Sequence, residues 1–231
     1  DFPDRRIVKH MVRELPLRTS SLRSLGAYAN VFAIESFMDE LAHESGADPL
    51  EFRLKHLTDE RARVVLEAAA THAAWGAVDR EDGHGRGIAM ARYKNQKCFA
   101  AVVMDLSVDD FGAITLHHAV IAADAGQVVD PEGLRNQLEG GLIQSARWTL
   151  KEKVDFDGGG VLSRDWESYP ILTFPEVPTI ETVLIDHPDQ PFLGAGEATQ
   201  ALTAFFAGLS RQHGGRRALF CVDHSLATAV L

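Results

Sequence analysis

The segment Gly194-Ala195-Gly196-Glu197 places a carboxylate directly behind two glycines. A carboxylate can serve as a general base where its proton affinity and reach suit the proton it takes. Flanking glycines permit backbone angles closed to other residues and leave clearance for a ligand. Taken alone, these four residues read more simply as a turn whose acid complements the dipole of a following helix. A second candidate is the stretch from Gln137 to Gln144, which carries Gly140-Gly141 within a helical pattern. Each glycine there costs about 1 kcal/mol relative to alanine, which suggests close approach of another backbone or a ligand. Gln137 and Gln144 lie two helical turns apart and share a face, although solvated glutamines over an ordinary helix–sheet contact fit as well. A third candidate is the loop Arg23-Ser24-Leu25-Gly26, which in isolation needs no more than a surface arginine followed by an N-capping Asn30. His117 and His118 are neighbours on a predicted strand, so they point to opposite faces and cannot hold one metal together. His72, His84 and His224 have no local partners, and no histidine is assigned a catalytic role.

The elements that would position these residues follow from periodicity and caps. A helix is expected after Asn30 with Phe32, Phe37, Met38 and Leu41 near one face and Gly46 as its stop. A second starts at Asp48 as N-cap with Pro49 in the first turn, and a third covers roughly 60–74. Residues 76–87 are polar and glycine-containing and suggest an internal boundary. The chain then reads as two segments, a lead-in with helices over 1–76 and a mixed segment over 87–231, which can also form one continuous domain. Strands are expected over 87–93, 99–107 and 113–123. A helix opens at Asp130-Pro131, followed by strands over 149–156, 171–174 and 179–185. A helix over 199–212 and a strand over 218–222 close the chain. The order predicts an α+β fold with mixed sheets and packed helices.

Composition narrows the function classes. The 231 residues are 45% hydrophobic and 24% charged, with 23 basic and 33 acidic side chains giving a net charge of −10. That balance argues against a phosphate-tracking nucleic-acid binder and against docking on an anionic membrane. Cys98 and Cys221 form no metal-ligand spacing, so zinc or iron–sulfur sites within the chain are not expected. No apolar run approaches the ~20 residues of a membrane span. The first residues lack the apolar stretch of a signal peptide, so a cytoplasmic location is the default expectation, with a periplasmic one open to a longer precursor.

Taken together and in order, the segments 22–57, 85–91 (GRGIAMA), 123–144 (ADAGQVVDPEGLRNQLEGGLIQ) and 192–199 (FLGAGEAT) resemble a known family. It is the molybdopterin-binding subunit of the xanthine oxidase and aldehyde oxidoreductase group, nearest the bacterial isoquinoline 1-oxidoreductase beta-subunit type. FAIESFMDELA followed by DPLEFRLKHL carries the resemblance most specifically. It implies a molybdenum-cofactor-binding fold and an oxidoreductase acting on an N-heterocycle or aldehyde. Glu197 would be the base that deprotonates a Mo–OH group as hydride passes to sulfur. By the same carry-over, Gln137, Arg23, Ser24, Gly194, Ala195 and Gly196 would contact the cofactor, and Leu25 would line the substrate pocket; none ligates the metal directly. The implied cofactor is molybdopterin with molybdenum, in its cytosine dinucleotide form, with [2Fe-2S] clusters on a partner iron–sulfur subunit.

The resemblance also implies that the rest of the molybdenum subunit is a partner, because the upstream pterin-binding loops are absent. This chain is therefore expected to be a fragment or one half of a split subunit, inactive in isolation. The loop departs from the family, reading Arg23-Ser24-Leu25-Gly26 where relatives more often have Arg-x-Pro-Gly or Arg-Gly-Phe-Gly. Two other classes compete with the enzyme reading. One is an assembly or scaffold module that keeps the fold without the cofactor. The other, a hydrolase using Glu197, lacks a nucleophile turn of the GxSxG kind.

Overall fold

The structure is a computed structural model describing residues 2–8, 10, 13–17, 21–76 and 83–200. Three helices come first: α1 over Ala27–Glu44, α2 over Pro49–His56 and α3 over Glu60–His72. The cap expected at Asn30 is corrected. Gly26 is the N-cap of α1, and the N–H of Asn30 already bonds to the Gly26 carbonyl at 3.1 Å. The cause is the preceding turn, in which Leu25 N–H bonds to Leu22 O and Ala27 N–H to Ser24 O, delivering the chain straight into helix. Asp48 caps α2 as expected, accepting from the N–H groups of Leu50 and Glu51 at 2.8 and 3.2 Å.

The motif pair FAIESFMDELA and DPLEFRLKHL has a physical basis in one buried ion cluster. Arg53 of α2 is 3% exposed and bonds to Glu35 at 2.9 Å and Asp39 at 2.6 Å, both on α1. Its guanidinium also donates to the carbonyls of Glu35 and Pro49. A buried cation is tolerable only when its donors are matched in this way.

Strands β1 (His84–Arg92), β2 (Phe99–Val108) and β3 (Ile114–Asp124) form an antiparallel meander. The chain crosses through α4 (Pro131–Leu150) and passes a two-residue ladder of β4 (Phe156–Asp157) and β5 (Gly160–Val161). It returns as β6 (Thr179–Ile185), parallel to β3. Among the described residues the main sheet therefore runs β1-β2-β3-β6. Glu35 covers its β1 edge by accepting the Met90 N–H at 3.1 Å.

The sheet is buried on both faces, which is why its strands read as near-continuous apolar runs. Even-numbered positions of β2 (Ala100, Val102, Met104, Leu106) pack with Leu138, Leu142 and Ala146 of α4. Odd positions (Phe99, Ala101, Val103) pack with Val65, Leu66 and Ala69 of α3. The alternation is that of a pleated strand, and small alanines on both faces let the helices approach closely.

Two expected strands are corrected. Residues 149–150 finish α4, and beyond them only the short ladder at 156 and 157 pairs. Residues 171–174 form no strand; a short 3-10 turn, Phe174–Glu176, follows, capped by Thr173. Apolar side chains there met the local pattern of a strand without a partner edge, and Phe174 is 98% exposed. The helix over 199–212, the strand over 218–222, Cys221 and His224 lie outside the described residues from 201 onward.

Pairing aligns Arg92, Phe99, Asp124 and Ile185 across one end of the sheet. At that end Asp124 is 1% exposed and is gripped by two Arg61 nitrogens of α3, each at 2.6 Å, and by Gly126 N–H at 2.8 Å. Burial pushes its carboxyl upward, but the Arg61 and Gly126 bonds prevail and hold it below the usual carboxylate range.

These buried charges can be tested by their effect on stability. Arg53→Ala should cost about 3–5 kcal/mol, because it removes the cation that pairs the buried Glu35 and the partly buried Asp39; urea unfolding that moves by less than a third of this would contradict the role given to the cluster. Asp124 has a depressed folded pKa, so its contribution is present above the unfolded value of about 3.9 and is lost as pH falls through the folded value. Asp124→Asn should therefore destabilise strongly at neutral pH and much less in acid, and an equal loss at both would refute the assignment.

Candidate functional site

The site forms at the end of the sheet marked by Arg92, Phe99, Asp124 and Ile185, where the segment after β6 folds back over it. Leu193 N–H bonds to Ala125 O at 2.7 Å and Cys98 N–H to Gly194 O at 3.2 Å, fixing the segment to the end of β3 and the start of β2. Gly126, with φ +70°, makes this approach possible, since a Cβ there would lie 2.1 Å from the Pro191 carbonyl oxygen. The chain next turns through residues 196–200 onto α4. Thr199 donates to Leu138 O at 2.7 Å and Ser145 donates to Gln200 O at 3.2 Å. Gly141 is the matching surface on α4, because a Cβ there would stand 2.1 Å from Thr199 Oγ1. The expectation of close packing thus holds for Gly141. A Cβ on Gly140 would meet nothing within 4 Å, so contacts among the described residues do not explain that glycine.

Arg23 ties the three candidate segments together. Its Nε donates to Gly196 O at 2.7 Å, a second nitrogen donates to the same oxygen, and a third reaches Gln144 Oε1 at 3.2 Å. It also donates to Gln137 Oε1 at 3.0 Å. The shared face of Gln137 and Gln144 is therefore the face that receives the guanidinium. With Oε1 of Gln137 engaged, the NH2 end of that exposed side chain is the end able to donate elsewhere. The start of α1 is held beside α4 by a Tyr28–Thr149 hydroxyl bond at 2.9 Å and by the Tyr28 ring edge-on to Trp148.

Ser24 and Leu25 have positive φ, 73° and 53°. This backbone is strained for residues with a Cβ, and it turns the Ser24 N–H onto Glu197 Oε1 at 2.9 Å. Tyr93, at the end of β1, donates its hydroxyl to Glu197 Oε2. Both carboxylate oxygens are thus bound by donors from distant parts of the chain. The Tyr93 bond lowers the Glu197 pKa most; burial opposes it, and Ser24 N–H, Lys94 and Arg23 add to the lowering. Glu197 is accordingly an anion at neutral pH. Tyr93, buried and bonded to that anion, is pushed up to about 12.

Of the residues expected from sequence, Arg23, Ser24, Gln137, Gly196 and Glu197 meet in one cluster. Gly194 anchors the segment through its carbonyl, Ala195 packs against the core, and Leu25 is 41% exposed beside Ser24. Tyr93, Lys94 and the buried Gln200, whose amide lies against Arg23, were not foreseen. The only sequence signal for Tyr93 was strand register, which sets residue 93 at the same end of the sheet as the segment after β6. His117 and His118 take separate partners, Ser107 at 2.7 Å and Asp105 at 3.9 Å. Among the described residues no group of histidines, cysteines or acids could hold a metal ion.

The residues present suit a polar, anionic organic group. Among the described residues the buried Ser24 hydroxyl has no hydrogen-bond partner, an arrangement costly enough to call for an acceptor. The Gln137 amide is poised to donate, Gly194 and Gly196 are exposed and offer clearance, and Lys94 and Lys97 contribute positive charge.

Comparison with known proteins places this geometry in a family. Residues 21–178 match the model of the molybdopterin cofactor-binding domain. The chain is 41% identical over 203 residues to a nicotinate dehydrogenase subunit of Pseudomonas putida, covering 81% of this chain and 17% of that protein. It is 29% identical over 199 residues to the beta subunit of isoquinoline 1-oxidoreductase from Brevundimonas diminuta, covering 83% of this chain and 25% of that one. The chain thus spans a quarter or less of the length of these relatives. Aldehyde oxidoreductase from Desulfovibrio gigas shares its fold, with a TM-score of 0.63 at 14% identity over 83% of this chain and 39% of that chain. No helix among the described residues is long and apolar enough to cross a membrane. The family match takes in the Arg23 loop, Tyr93 and the Gln137 helix, and with it the chain belongs to the molybdopterin cofactor-binding domain family of the xanthine oxidase group.

Proposed function

We propose that this chain forms one wall of the active site of a molybdenum hydroxylase acting on an N-heterocycle or an aldehyde, with Glu197 as general base. The observation that carries this reading is the Glu197 carboxylate, ionised and aimed by Tyr93 and Ser24 beside the Arg23–Gln137 cluster. The similarity to proteins named for nicotinate and isoquinoline supports the N-heterocycle class, and the aldehyde class rests on the family resemblance of the motifs.

When bound, the molybdenum cofactor supplies the redox chemistry, and the protein supplies position and electrostatics. Ser24 Oγ and the Gln137 NH2 would hold its polar edge, and Lys94 and Lys97 would offset its negative charge. Gly194 and Gly196 would let it approach the backbone. Arg23 holds Gly196 and Gln137 in fixed relation, so the base and the cofactor-facing amide move as one unit. Glu197 accepts the proton released as substrate is oxidised. Its anionic state at neutral pH makes it ready to do so, while its bonds to Tyr93 and Ser24 keep it from rotating away. Leu25, exposed beside it, would contact the apolar part of the substrate. The cytosine dinucleotide form of the cofactor, [2Fe-2S] clusters on an iron–sulfur partner and the remainder of the molybdenum subunit complete the proposal.

In the assembled complex, Glu197→Gln should keep molybdenum bound and lower turnover by about 10²–10⁴-fold, the usual worth of a general base. Unchanged turnover would remove Glu197 from the chemistry. Gln137→Ala should release cofactor on dialysis, read as molybdenum per chain; equal retention in variant and wild type would count against the contact assigned to Gln137.

A further inference from the structure

The connection between β1 and β2 does more than join two strands. Tyr93 N–H bonds to Cys98 O at 3.1 Å, and Tyr93 O accepts from Gln96 and Lys97 at 3.2 and 2.9 Å. Inside this closed turn Lys94 and Asn95 adopt left-handed angles, φ 49° and 56°. Asn takes such angles readily, but for Lys94 they are strained and persist because the surroundings enforce them. The turn then grips the Glu197 segment at two points, by Cys98 N–H to Gly194 O and by Tyr93 hydroxyl to Glu197 Oε2. Tyr93 is 6% exposed, so the hydroxyl is delivered from a fixed, packed ring.

We infer that the β1–β2 turn is the device that aims and tunes Glu197, with Tyr93 as its positioning residue. The relevance of this to catalysis rests on the reading of Glu197 as the base. The hydroxyl donates to Oε2 most strongly while the carboxylate is ionised, and so favours the anion. Among the described residues the other charged or titratable groups facing Glu197 are Lys94 on the same turn and Arg23 on the loop before α1, and α4 presents the uncharged Gln137 against Gly196. Neither cation donates a hydrogen bond to the carboxylate among the described residues, so Tyr93 is the side chain whose removal changes its bonding directly.

The test uses the full chain carrying 13C-labelled glutamate, with the Glu197 carboxyl resonance identified by its loss in Glu197→Gln. Tyr93→Phe should raise the proton affinity of Glu197 by about tenfold, the scale of one hydrogen bond to a carboxylate. A fluorinated tyrosine at 93 keeps the ring and its packing but donates more strongly, and should shift the titration the opposite way. A Glu197 midpoint that stays put in both variants overturns the inference. In the assembled complex the acid limb of kcat/KM should move with the same sign in each variant. Shifted midpoints together with full turnover in Glu197→Gln would leave Tyr93 as the tuner and sink only the base assignment.

Discussion

The arrangement depends on one guanidinium. Arg23 stands before α1, Gln137 and Gln144 on α4, and Gly196 beyond β6, yet all three acceptors meet on its nitrogens. A planar fork with fixed donor directions can hold three partners in a defined relation, which a lysine could not. Because the acceptors include the carbonyl immediately before Glu197, Arg23 fixes the backbone that carries the acid. The neighbouring Ser24 N–H then bonds to one carboxylate oxygen, so this short loop holds the backbone and half of the carboxylate, and Tyr93 holds the other half.

That loop is only as well placed as the helices behind it. The Arg53–Glu35–Asp39 cluster locks α2 to α1, and Glu35 reaches past it to the edge of β1. Opposite, Arg61 on Asp124 joins α3 to the end of β3. The next residue, Ala125, receives Leu193 of the segment that carries Glu197. These two ion clusters therefore lie on the paths that connect helices to the site. The hydrophobic faces of the sheet supply adhesion, which is not directional; the ion clusters supply register.

Much of this was legible where local chemistry decides the outcome. Asp48-Pro49 and Asp130-Pro131 mark helix starts, and the seven-residue spacing of Gln137 and Gln144 put both on the face that meets Arg23. The runs rich in Val, Ile and aromatic residues announced the strands β2 and β3. Apart from Asn30, where a neighbouring turn decides, the misses share a cause: they depend on partners far away in sequence. Residues 149–156 and 171–174 have strand-like side chains, but among the described residues no strand of the main sheet pairs with them. Asn30 has the chemistry of a cap, but the turn through Ser24 and Leu25 had already started the helix. Tyr93 carries no motif, and its place beside Glu197 comes from pairing register and from the fold-back after β6. The family resemblance identified Glu197 without giving a reason for its geometry; that reason is the pair of donors on its two oxygens.

The roles proposed for Arg23, Gln137 and Glu197 all require that these residues meet a molybdenum cofactor. The most direct measurement is metal analysis of the complex purified natively with this chain in place. Molybdenum should then be found in a stoichiometric ratio to the chain, released together with a pterin on denaturation. A complex that contains the chain and neither molybdenum nor pterin would contradict those roles.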